Sequence, residues 1–155
     1  MRHRHFSVIF TVIVVFVLLM SGQIATASVP NSKQRIIRAI ELVRSAKGAN
    51  AKVDAAQQLR NLVLATEANS VDDGTIHSVA SLLDFNNEAI RYWIAEALGH
   101  FGARAKFAAP KLQAILSERE CVVAETSSAS MVRKTLENIG EPAPERKCDH
   151  YILPK

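Results

Sequence analysis

The sequence predicts an all-α chain built from antiparallel helical hairpins, and three observations carry that expectation. In the stretch 82–116, Ile90, Trp93, Ile94, Ala97, Leu98 and Phe101 recur at i, i+3, i+4, i+7, i+8 and i+11, which lines one face of a helix. After Pro30 no apolar segment shows the two-residue alternation of a half-buried strand. The segments before and after 82–116 can be aligned to it with shifts of 39 and 38 residues, so the chain reads as five to six helices of one repeated kind.

The chain opens with Met-Arg-His-Arg-His and a run of fifteen apolar or nearly apolar residues from Phe6 to Met20, followed by Ala25-Thr26-Ala27 before Ser28. A basic start, a short apolar centre and small residues at a cleavage position predict a signal peptide over 1–27 and an exported chain, periplasmic or extracellular. The alternative is an uncleaved anchor in the inner membrane, and Ser21, Gly22 and Gln23 interrupt that reading before the run reaches the roughly 20 residues of a span. Contact with a membrane is expected only in that second case. Of the 19 basic and 15 acidic residues, the segment 1–27 holds Arg2 and Arg4, so the rest carries 17 against 15, a net of +2. A balance so close to neutral gives no field for nucleic acid, and none is expected as a partner.

From Pro30 onward the helices follow in order. Asn31 or Ser32 caps the first, with Ile36, Ile37, Ile40 and Val43 inward, Arg35, Arg38 and Arg44 outward, and Gly48 at its end. Asn50 is the expected cap of a second helix over 51–68, where Ala55, Ala56, Leu59 and Leu62 take the places of Ile94, Ala95, Leu98 and Phe101. Asp72 or Asp73 caps its mate, expected to run to Leu83 with Ile76, Val79 and Leu82 inward. The central pair starts after Asn86, turns at Gly99 and Gly102, and resumes near Ala105 with Pro110 in its first turns, where the missing N–H does least harm. A last helix is expected over 121–139. Its apolar face is diluted by Thr126, Ser127, Ser128 and Ser130, and Leu136, Ile139 and Gly140 align with Leu98, Phe101 and Gly102. The tail 141–155, with Pro142, Pro144 and Pro154, is expected to be extended.

Asp84, Asn86, Ile90, Arg91, Ala95, Ala97, Leu98, Gly99, Phe101, Gly102, Ala109, Pro110 and Leu112 resemble a HEAT repeat of the type found in phycobilisome lyases. The resemblance implies a short α-solenoid over 28–140 and an ion pair between Asp84 and Arg91. Trp93 departs from it, standing where the family carries a small residue. The expectation is therefore an indole buried between the hairpins at 51–84 and 87–117, with its ring N–H near an acceptor.

Chemistry-bearing groups are sparse. Cys121 and Cys148 flank the last helix in a chain expected to leave the cytosol, so they are expected to form a disulfide that ties back the tail. Cys148-Asp149-His150 lacks the second ligand cluster of a zinc site, and no metal or cofactor is expected. His77 and Ser78 are neighbours on a helix and point apart, His100 sits in a turn, and neither a phosphate loop nor a nucleophile elbow occurs, so no catalysis is expected. Tyr92 lies beside the apolar stripe but off it, and with Glu88 and Arg91 on the same helix it is the candidate contact for another protein. The function expected is thus an exported protein-binding module. The alternatives are a lyase-type or accessory enzyme component, as the resemblance implies, and a purely structural envelope protein.

Overall fold

The computed structural model describes residues 31–119 and 127–145, and these are all helix, 3-10 turn and short connections, without a strand. Among the described residues the α-helices are α1 (Ser32–Ser45), α2 (Ala49–Leu64), α3 (Asp73–Ala80), α4 (Glu88–His100), α5 (Ala109–Arg119) and α6 (Ser128–Ile139). The expected signal segment, the two cysteines and the last ten residues lie outside the described residues.

Local chemistry sets the boundaries. The Asn31 side chain accepts from the Gln34 amide and starts α1, while Asn87, not Asn86, accepts from the Ile90 amide and starts α4. The first helix stops at Ser45, short of the end expected at Gly48. Gly48, at φ +90°, lies outside it and opens α2 in place of the expected Asn50. The mate of α2 is an α-helix only to Ala80 and tightens into a 3-10 turn over Ser81–Asp84. A second 3-10 segment, Gly102–Ala108, replaces the expected start of α5 near Ala105. Pro110 therefore falls at the second residue of the helix, where the amide it lacks would have had no partner within that helix. The serines of 127–130 are not a diluted apolar face. Ser127 caps α6 by accepting from the Ser130 amide, and Ser128 is fully buried.

Asp72 caps α3, accepting from the Thr75 amide at 3.2 Å and the Thr75 hydroxyl at 2.8 Å, and it meets Lys33 of α1 at 3.1 Å. The Thr75 hydroxyl, and after it Lys33, lower the Asp72 carboxyl from 3.8 to about 2. A depressed carboxylate pKa adds stability above the unfolded value of 3.8, and that increment vanishes as pH falls toward 2. Thermal melts should therefore show wild type and Asp72→Asn separated at pH 6 and converging near pH 2. A constant gap would mean that the charge plays no part.

Helix α4 is the centre of the packing, touching α2, α3 and α6, while α1 rests on α2 and α3 and α5 rests on α6. Glu88 reaches the Ser128 amide and the Ala95 carbonyl accepts from Thr135, both across 40 residues, so α4 and α6 run side by side in the same direction. On the other flank Arg60 meets Glu96, and Thr66, just past α2, meets His100, which sets α2 parallel to α4 as well. Helix α4 comes close to α6 at Gly99, where an added Cβ would lie 3.1 Å from the Asn138 side-chain nitrogen. Ile36, Leu59, Ile76, Leu83, Ile94, Leu98, Leu112 and Leu136, drawn from every helix layer, are buried in one continuous core.

Gly140, at φ +76°, ends α6, and the Glu141 amide turns back to the Leu136 carbonyl at 2.8 Å. The chain then runs extended through 141–145. Gln113 of α5 donates to the Pro142 carbonyl at 3.4 Å, Arg133 of α6 donates to that of Pro144 at 2.8 Å, and Ala143 packs on the core.

Candidate functional site

The surface shared by α2 and α4 gathers the residues best suited to recognition. Arg60, on the fourth turn of α2, forks onto Glu96 of α4 with Nε–Oε2 at 2.9 Å and Nη2–Oε1 at 2.5 Å. Both side chains are held near the surface, 26% and 21% exposed. The hydrogen bond to Glu96 raises the Arg60 pKa above its already high value, so the guanidinium is charged at every working pH. Its carbon stands 5.5 Å from the centre of the Trp93 ring, in cation–π range. Tyr92 meets the same indole edge-on, 4.8 Å between centres at 90°. Asn61 accepts a further 2.8 Å bond from Arg60. One Trp, one Tyr and one Arg thus form a connected patch in which Glu96 balances the guanidinium charge.

Trp93 is half-buried rather than enclosed, and among the described residues its ring N–H has no hydrogen-bond partner. The physical reason is the register of α4. Its most buried positions are Ile90, Arg91, Ile94, Ala95, Ala97 and Leu98, so the inward direction points between Ile94 and Leu98. Trp93 is about 120° around the helix from there, at the mouth of the α2–α4 groove. Arg60 stands over the indole, while Ala55 and Ala56 of the same helix are buried deeper in the core.

The other two candidate contact residues serve the fold. Arg91 is 8% exposed; its Nε donates to the Phe85 carbonyl at 3.1 Å and its Nη1 lies 3.1 Å from Glu118. The expected pair with Asp84 does not form, because Asp84 takes Lys111 instead. Glu88 is turned toward α6, where one carboxylate oxygen accepts from the Ser128 amide at 2.7 Å and supplements the cap of that helix. Tyr92 alone of the three stands on the patch with Trp93 and Arg60. Sequence reasoning missed Arg60 and Glu96, which are 36 residues apart and show no periodic signal. Only the parallel setting of α2 beside α4 brings them to one level.

Both described histidines have partners within the fold. His100 Nε2 lies 2.9 Å from the Thr66 carbonyl and ties the end of α4 to the end of α2. His77 stacks on Phe107 with ring centres 3.6 Å apart and planes 5° apart. Among the described residues no three His, Cys, Asp or Glu side chains are placed to hold a metal ion, and no helix is long and apolar enough to cross a membrane. Compared with protein-family models, with curated proteins and with solved structures, the chain finds no match.

Proposed function

We propose that the chain is an exported protein-binding module, a short HEAT-like stack that presents the Tyr92–Trp93–Arg60 patch to another protein. The patch carries the proposal. Trp, Tyr and Arg are the residues most often found at the energetic centre of protein interfaces, and here they are pre-arranged on packed helices, which lowers the cost of ordering them on binding. Because Glu96 neutralises Arg60, the surface selects by shape and aromatic contact more than by charge.

The repeat reading has its own support. Leu98 and Leu136 are fully buried, Phe101 and Ile139 nearly so, and Gly102 and Gly140 both adopt positive φ, at +55° and +76°. Equivalent positions 38 residues apart thus do equivalent work, as stacked hairpins require. The tie of Arg133 to Pro144 turns the tail back along α6 toward its start. That direction favours the Cys121–Cys148 disulfide, which a mass gain of two hydrogens on reduction would reveal.

A photo-cross-linking residue placed at Tyr92 tests the function in cells. The expected result is a discrete adduct with one envelope protein, absent when the same residue is placed at exposed Ser117 on α5. Equal labelling from both positions would exclude the patch as the contact surface.

A further inference from the structure

We propose that the outer flank of α1 is a docking surface for anionic lipid headgroups. Helix α1 carries Lys33, Arg35, Arg38 and Arg44 against the single acid Glu41. The four cations divide into two flanks. Lys33 pairs with Asp72, and Arg44 binds Glu41 and the Ser81 hydroxyl, so this flank is turned toward α3 and its turn. Arg35 and Arg38 are exposed and have no ion pair among the described residues. They share their flank with Leu42, which follows at i+7 and i+4 and is the most exposed large apolar side chain described, at 47%.

While the apolar stripe Ile36, Ile40 and Val43 stays in the core, two cations without an ion pair among the described residues stand beside an exposed leucine, which offers guanidinium groups for phosphates and an apolar side chain for the acyl boundary. The preceding sequence points the same way. Eleven residues, 21–31, separate α1 from the apolar run that ends at Met20. Even fully extended they reach only about 36–40 Å, so in the chain that still carries 1–27, with that run in a bilayer, α1 is kept within that distance of the headgroups. A basic flank at that distance meets a high local concentration of phosphate. The α1 flank is independent of the Tyr92 patch, which lies on other helices.

Hydrogen–deuterium exchange of the full chain, added to vesicles of phosphatidylcholine alone or with roughly one third phosphatidylglycerol, tests the inference. The expected result is slower exchange in peptides of 32–45 on the anionic vesicles only, reversed by high salt, with peptides of α6 unchanged. Each arginine near an anionic surface contributes about a fivefold factor, so Arg35→Gln with Arg38→Gln should weaken the docked state by roughly 20- to 30-fold and return α1 to its behaviour on phosphatidylcholine. Leu42→Ser should weaken it while leaving the salt dependence in place. Equal protection on both lipids, or protection that survives salt and the double substitution, would overturn the proposal. Protection that grows with protein concentration without vesicles would overturn it as well and assign the flank to a second copy of the chain.

Discussion

Leu98→Ala is expected to lower the unfolding free energy by about 2–5 kcal/mol, the range for emptying a fully packed leucine site. Leu98 is 0% exposed and sits on the helix that touches α2, α3 and α6, so no single neighbour can move to fill the void without losing a contact elsewhere. A small domain has only about 5–15 kcal/mol in total, so the variant should lose a large fraction of its stability and unfold at a clearly lower urea concentration. Leu42→Ala provides the contrast, with an expected change within about 0.5 kcal/mol, because Leu42 is half in solvent. Urea titrations followed by helical circular dichroism measure both. Equal losses at the two positions would mean that α4 is not the centre of the core.

Gly99→Leu is expected to cost about 1–3 kcal/mol or more, whereas Gly99→Ala should be close to neutral. The first added carbon meets the far end of Asn138, an exposed side chain that can swing away. Gly99 is the second-to-last residue of α4, so replacing it with alanine returns a part of the roughly 1 kcal/mol of interior helix propensity, which offsets the tight contact. A longer side chain has no such exit, because the Thr135 hydroxyl and backbone stand behind, 3.5 and 3.7 Å from the Cβ position. It must push α6 away from α4 and break the 2.8 Å bond from Thr135 to the Ala95 carbonyl. Exchange of the amides in α6 reads that separation directly. If leucine is tolerated as well as alanine, the two helices do not approach as described.

The helical class and the caps at Asn31 and Asp72 were legible in the sequence because they depend on neighbours within one or two turns. The apolar period of 90–101 located α4 but placed its inward direction too far toward Trp93. Periodicity assumes one buried face, whereas α4 is covered by α2 on one flank and α6 on the other, which brings Arg91 and Ala95 inside and leaves Trp93 at the groove mouth. The start of α6 was readable in principle, since a serine before an apolar period is a cap signal, here Ser127 before Met131 and Val132. Arg60 with Glu96 and Lys111 with Asp84 were not legible at all. Such pairs follow from how helices are set beside one another, and a local pattern carries no record of it.

The chain contains one tryptophan, so its fluorescence reports the proposed recognition patch and nothing else. Acrylamide quenching of Trp93, measured for the free chain and for its complex with the protein cross-linked from position 92, tests that patch most directly as the binding surface. Partial shielding is predicted in the free chain, as a half-buried indole under Arg60 requires, with a clear further drop in quenching on binding. Quenching that is unchanged in the complex would contradict the assignment and place the partner on another face.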